Sequence, residues 1–94
     1  MNINVEFIGI SRILTGASKF TCTVGNNATY QEVVKLIAKK YPTLVGQVIR
    51  PDGLDFYPSN LFSLNGLKMI KPGDMDQKAN DGDRLILMSI LAGG

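Results

Sequence analysis

The sequence predicts an α+β domain in which one main helix lies across one face of a mixed sheet of about five strands. Three observations lead to this fold class: alternating apolar and polar residues near both ends, one capped amphipathic stretch, and turn signals that divide the remainder. Ninety-four residues suffice for one such domain and not for two. We therefore expect residues 1–94 to form a single domain with a flexible tail from about residue 89.

The N-terminal quarter predicts a β-hairpin. Residues 2–8 alternate between apolar and polar side chains, as does a second segment at residues 20–24, and both patterns indicate strands with one buried face. Residues 11–19 between them are expected to form a turn. Cys22 falls on the buried face of the second strand, where a free cysteine usually acts as a small apolar side chain.

A capped helix follows. Thr29 and Glu32 have the spacing of a capping box, in which a hydroxyl and a carboxylate satisfy free backbone N–H groups at a helix N-terminus. Pro42 disfavours helical geometry at the residue before it, so the helix is predicted over about residues 30–41. The apolar stripe expected to face the sheet consists of Tyr30, Val33, Val34, Ile37 and Tyr41.

Residues 43–60 are the least regular part of the sequence. Pro51, Asp52-Gly53 and Pro58 divide them into short pieces. The apolar residues at the start of this segment are expected to form a partly ordered turn that packs on the core: Leu44, Val45, Val48 and Ile49. No function is assigned to this connection.

The C-terminal third predicts three strands. Asn65-Gly66 is a strong two-residue hairpin signal between short strands at residues 61–64 and 67–70. Asp81-Gly82-Asp83 then turns the chain into the last strand, at residues 84–91. Two carboxylates that flank a glycine could be proposed as a catalytic pair, but such residues are typical turn formers.

The last strand is apolar on both faces, which is typical of a strand at the centre of a sheet. We expect the first and last strands to form the central pair. If the helix covers only one face, Ile86 and Met88 are exposed on the other face and form a candidate partner site. The alternative is that the long connection, residues 43–60, folds over them.

The composition excludes several function classes. Ten Lys and Arg against eight Asp and Glu give a formal charge of only +2, and scattered basic residues do not favour nucleic acid binding. No apolar run approaches the roughly 20 residues of a membrane span. The chain has no histidine and a single cysteine, which excludes a His-based catalytic dyad, the common zinc sites and an intrachain disulfide. We expect a cytoplasmic carrier or binding module without a metal site, and no autonomous enzyme.

The sequence ends on Gly93-Gly94, a thin segment that adds nothing to a core. Such a tail is suited to enter a narrow active site and to present the α-carboxylate of Gly94. Extended from Ser89 to Gly94, it would reach roughly 20 Å. The sequence therefore indicates a carrier in which a backbone carboxylate is the reactive group.

The succession of hairpin, capped helix, hairpin, turn, apolar strand and Gly-Gly end resembles the ubiquitin-like β-grasp sulfur carriers. The resemblance covers nearly the whole chain and is strongest to MoaD, the small subunit of molybdopterin synthase. The motifs that carry it are Leu64-Asn65-Gly66, Asp81-Gly82-Asp83 and Ala92-Gly93-Gly94. The spacing from Leu85 to Gly94 is also similar to the last strand and tail of ubiquitin, which places Ile86 and Met88 on the face that such proteins use for partners.

The resemblance implies a definite chemistry. An E1-like adenylating enzyme of the MoeB/ThiF type would use ATP and Mg²⁺ to activate Gly94, and a sulfur donor such as a cysteine desulfurase or rhodanese would convert it to a thiocarboxylate. The tail would then insert into a large synthase subunit of the MoaE type and donate sulfur in molybdopterin synthesis. No cofactor is bound permanently. The partner-binding residues implied are Gly93, Ala92, Leu91, Met88 and Ile86.

Other functions remain compatible with the same residues. Gly94 could be joined to target lysines, as in a ubiquitin-like protein modifier, or the carrier could serve thiamine, cysteine or tRNA thiolation pathways. The length of the chain argues against the thiamine carrier ThiS. A third hypothesis is a β-grasp interaction domain whose tail is incidental.

Overall fold

The computed structural model describes residues 1–90, which form five strands and two α-helices. In chain order the elements are β1 Asn2–Phe7, α1 Ile10–Thr15, β2 Lys19–Thr23, α2 Tyr30–Lys40, β3 Asn60–Leu64, β4 Lys68–Ile70 and β5 Arg84–Ser89, with short 3₁₀ helices at Pro42–Leu44 and Pro72–Asp74.

The five strands form one mixed sheet in the order β2-β1-β5-β3-β4. β1 pairs antiparallel with β2 and parallel with β5, and β3 pairs antiparallel with both β5 and β4. β5 is therefore the central strand, with β1 beside it, as predicted. The predicted ubiquitin-like β-grasp fold, with one main helix across a mixed sheet, is confirmed.

Local sequence signals account for β1 and α2. The predicted apolar face of β1 is buried, and α2 buries its stripe at Tyr30, Val33, Val34 and Ile37 against the sheet. The Thr29 side chain caps α2 by accepting a hydrogen bond from the backbone N–H of Glu32 at 3.4 Å. Within residues 1–90, no helix is long and apolar enough to cross a bilayer.

The prediction of a simple turn at residues 11–19 is wrong, because the chain forms α1 there. Gly16 ends this helix in the left-handed conformation, and its N–H donates to the Arg12 carbonyl at 3.0 Å. The Thr15 hydroxyl donates to the Ser11 carbonyl at 2.8 Å. A six-residue helix is not stable by itself, so its packing against β5 and the 3₁₀ helix at Pro42–Leu44 stabilises it.

The long connection between α2 and β3 packs on the same side of the sheet as α2. Leu44, Val48 and Ile49 are buried in the main core as predicted, whereas Val45 is exposed. Phe56 packs edge-on against Phe62 of β3, with 4.8 Å between ring centroids. The alternative in which this connection covers Ile86 and Met88 is therefore wrong.

The Asn65-Gly66 turn joins β3 to β4, as predicted, but the loop has three residues instead of the predicted two and β4 begins at Lys68. Both residues have positive φ angles, 53° and 71°, which these residue types adopt at low cost. The register pairs Leu64 with Lys68, so three residues separate the paired positions, and Leu67 at the tip is 92% exposed.

Candidate functional site at the central strand

The central strand presents two different faces. Leu85 and Leu87 are fully buried in the core, on the side covered by α2. Ile86 and Met88 alternate with them, lie on the opposite face of the sheet and are partly exposed. The structure thus places both predicted partner-binding residues of this strand on the face that α2 leaves open.

The open face carries an apolar strip that consists of Leu61, Met69, Ile86 and Met88. The strand register brings these residues together, because Leu61 is paired with Met88 while Ser63 is paired with both Ile86 and Met69. Met69 is 52% exposed. Methionine side chains adapt to partner surfaces of varied shape, so this strip is suited to contact another protein.

The other half of the open face, on β1 and β2, is polar. The Arg84 guanidinium forms an ion pair with Glu6, and its hydrogen bond holds the pKa of the Glu6 carboxyl below its ordinary value. Thr21 donates a hydrogen bond to the Asn4 side chain at 3.2 Å. These side chains and Lys19 line a hollow of about 380 Å³. A partner that covers the strip therefore meets charged groups on this side.

The turn before β5 anchors the central strand to β1. Asp81 accepts a hydrogen bond from the Asn2 N–H at 2.7 Å, and buried Asp83 accepts one from the Asn80 N–H at 2.8 Å. The hydroxyl of buried Tyr30 also donates to Asp83, at 3.5 Å. Both carboxylates are used in this turn, which confirms the prediction that they are turn formers.

The end of β5 is held by the segment that precedes β3. The Ile90 N–H donates to the Ser59 carbonyl at 2.6 Å, and the Ser89 hydroxyl donates to the Asn60 side chain at 3.0 Å. These bonds fix the direction in which the chain leaves the sheet. The other predicted site residues, Leu91, Ala92, Gly93 and Gly94, lie outside the described residues.

Cys22 lies in the core, as predicted, with 8% of its surface exposed. Burial raises the pKa of its thiol, which disfavours the thiolate that nucleophilic chemistry needs. Among residues 1–90, no three His, Cys, Asp or Glu side chains come close enough together to hold a metal ion.

Leu61 and Met69 were missed by the sequence analysis, although they complete the apolar strip. Residues 61–64 are apolar on both sides of the predicted strand, so alternation does not show which side is open. The predicted two-residue Asn65-Gly66 hairpin does not find them either, because it would pair Phe62 with Met69, whereas the three-residue loop of the structure pairs Ser63 with Met69 and so puts Met69 on the open face.

Several solved structures are similar in fold to this protein. No family model and no curated protein sequence matches the chain. SAMP1 from Haloferax volcanii matches over 100% of both chains with a TM-score of 0.83 and 19% identity. Urm1 from Trypanosoma brucei matches with a TM-score of 0.59 and 24% identity, over 99% of this chain and 95% of that one. The protein-protein complex of subunits 1 and 2 of molybdopterin-converting factor from Helicobacter pylori contains a chain that matches over 100% of both chains, with a TM-score of 0.60 and 18% identity.

The chain shares their fold. The resemblance to the MoaD group that the sequence indicates is confirmed at this level, since a converting-factor subunit is among the structures that superimpose over the whole chain. At identities below 25% the likeness concerns the arrangement of helices and strands, while function has to be argued from the residues of this chain.

Proposed function

We propose that this protein is a sulfur carrier in which the α-carboxylate of Gly94 is adenylated and then converted to a thiocarboxylate. The observation that carries the proposal is the central strand. β5 is paired along both edges, contributes Ile86 and Met88 to the apolar strip, and leads directly into the sequence that ends Ala92-Gly93-Gly94. A rigid domain thus offers a docking face immediately next to a thin reactive tail.

The chemistry divides between the carrier and its partners. A carboxylate is a poor electrophile, so an E1-like enzyme would join the Gly94 carboxylate to the α-phosphorus of ATP with loss of pyrophosphate. A persulfide on a sulfur donor would then attack the acyl carbon and displace AMP. Cleavage of the resulting acyl disulfide by a second thiol would release the thiocarboxylate and leave a disulfide on the donor. The carrier supplies the acyl group and the docking face, and its partners supply catalysis. ATP-dependent activation favours a cytoplasmic location.

Within this class we propose molybdopterin synthesis as the pathway. The solved complex of converting-factor subunits 1 and 2 supports it, because one of its chains matches the present chain over its full length. The partner that receives the thiocarboxylate would then be a large subunit of the MoaE type. It would contact the apolar strip while the tail enters its active site.

A second candidate is a ubiquitin-like protein modifier, in which Gly94 is joined to lysines of target proteins. The superposition on SAMP1, a small archaeal modifier protein, with a TM-score of 0.83 supports this candidate. Both candidates begin with adenylation of Gly94 and diverge only in the nucleophile that follows.

Intact-protein mass spectrometry tests the proposal. The protein is incubated with ATP, Mg²⁺, an adenylating enzyme from the same source and a persulfide donor. We expect a mass increase equal to the exchange of one oxygen for sulfur, and no increase in a variant that lacks Gly94. If the adenylating enzyme is demonstrably active and the mass of the protein stays unchanged, the sulfur-carrier proposal is refuted. Recovery of lysine conjugates from cells, without thiocarboxylate, would instead favour the modifier.

A further inference from the structure

The exposed apolar side chains are concentrated at one end of the sheet. Seven large apolar residues within residues 1–90 are exposed, and two of them, Leu67 and Met69, lie in the β3–β4 hairpin. The other five gather where β5 ends, and we name them the exit surface: Ile8, Ile10, Ile13, Val45 and Ile90.

The elements that carry the exit surface lie close together, because α1 packs against both β5 and the 3₁₀ helix at Pro42–Leu44. Ile8 and Ile10 line a hollow of about 350 Å³ together with Ser89, the residue before Ile90. Ile13 lies one turn further along α1 and is 76% exposed. Val45 follows the 3₁₀ helix that packs against α1, where the Thr43 hydroxyl donates to the Leu14 carbonyl at 2.9 Å. The exit surface therefore lies beside the point where the chain leaves the sheet.

The reach of the tail determines what must cover this surface. In the proposed function, the reactive carboxylate belongs to Gly94, four residues beyond Ile90, and four extended residues span at most about 14 Å. A stable protein interface covers about 800 Å² on each partner, which corresponds to a patch of roughly 16 Å radius. An interface of this size, centred within 14 Å of Ile90, would therefore include the surface around the point where β5 ends.

We infer that the exit surface, with α1 at its centre, is a second docking element that contacts the adenylating enzyme around the entrance to its active site. The inference rests on the proposed function and adds a site to it. The partner surface that fits is apolar and surrounds the entrance of a narrow channel. The reason is that the exit surface presents isoleucine and valine side chains, and Arg12 is the only charged residue of α1.

The test substitutes one residue at each end of the sheet. Ile13→Asp puts a charge into the exit surface, and Leu67→Asp is the matched control at the far hairpin, outside the apolar strip. Both side chains are largely exposed, at 76% and 92%, so both variants are expected to melt like the original protein in circular dichroism. Ile13→Ser is a milder third variant, which keeps the test valid if the aspartate disturbs α1.

Adenylation is measured as pyrophosphate release at increasing carrier concentration. We expect Ile13→Asp to raise the KM for the carrier about tenfold with kcat within about twofold, Ile13→Ser to raise it less, and Leu67→Asp to change neither by more than about twofold. An unchanged KM for both Ile13 variants, with normal adenylation of the original protein, would overturn the exit surface and leave the proposed function intact. If a demonstrably active adenylating enzyme fails to adenylate the original protein, both the exit surface and the proposed function are overturned.

Discussion

Two neighbouring residues of β5 provide a sharp test of the assignment of its faces, because Leu87 lies in the core and Met88 lies on the open face. Leu87 is fully buried and is paired with Phe7 on one side and Phe62 on the other. Met88 is partly exposed and belongs to the apolar strip. Replacing each in turn with alanine should separate stability from partner binding.

The structure gives the expected magnitudes. Truncation of a fully buried leucine costs about 2–5 kcal/mol in the free energy of unfolding. A domain of this size has a total of roughly 5–14 kcal/mol, and a loss of about 3 kcal/mol would lower its melting temperature by about 12–24 °C. Met88→Ala removes only partly buried surface, so it should cost no more than about 1 kcal/mol. At the interface, however, truncation of a central apolar residue should weaken binding by about 1–2 kcal/mol, or roughly 5- to 30-fold.

Urea unfolding followed by far-UV circular dichroism measures the stabilities, since the chain contains no tryptophan. Calorimetric titration with the large synthase subunit, at a temperature where both variants are folded, measures binding. Leu87→Ala should lose stability and retain affinity, and Met88→Ala should do the reverse. Equal losses of stability would show that the open face is covered in the folded protein. An unchanged affinity for Met88→Ala would refute the role of the strip.

Three further outcomes are expected. Phe56→Ala should destabilise the domain by about 3–5 kcal/mol in urea unfolding, because Phe56 is a core residue, and a loss under 1 kcal/mol would show that its connection is dispensable. Gly82→Ala should cost about 1 kcal/mol or more in the free energy of unfolding, because Gly82 has a φ of 81°. Gly25→Ala is the control and should be neutral or slightly stabilising, because Gly25 lies outside the left-handed region and its added Cβ would meet no atom within 4 Å. Equal effects of the two substitutions would contradict this turn geometry. Burial and the Asp83 carboxylate raise the pKa of Tyr30, so the folded state holds the phenol proton more tightly than the unfolded state does. The free energy of unfolding should therefore fall as pH rises above 10, and it should fall less in Tyr30→Phe. Identical pH profiles for the two proteins would argue against this linkage.

Several elements were predictable because their signals are local. The alternation in β1 marks its buried face, and the Thr29 side chain makes the capping contact that its spacing from Glu32 indicates. Asn65 and Gly66 adopt the positive φ angles that their residue types favour. Each of these signals concerns residues within a few positions of one another, where the backbone geometry follows from the residue types themselves.

The helix α1 was not predictable in the same way. Its six residues are too few for an isolated helix, and the glycines on either side of it favour a turn. Contacts with distant parts of the chain stabilise it, including the hydrogen bond from Thr43 to the Leu14 carbonyl. The exit surface was missed partly for this reason, because Ile13 was assigned to a turn, while Ile8 and Ile90 were assigned to the first and last strands.

The sequence by itself determined that one capped helix lies against a sheet whose last strand is apolar on both faces and precedes a Gly-Gly end. It did not determine whether the face with Ile86 and Met88 remains open, because residues 43–60 could also have folded over it. Only the tertiary structure decided this, since packing of Phe56 against Phe62 puts the long connection on the same side as α2. Burial depends on which distant segment covers a face, and that is a property of the assembled chain.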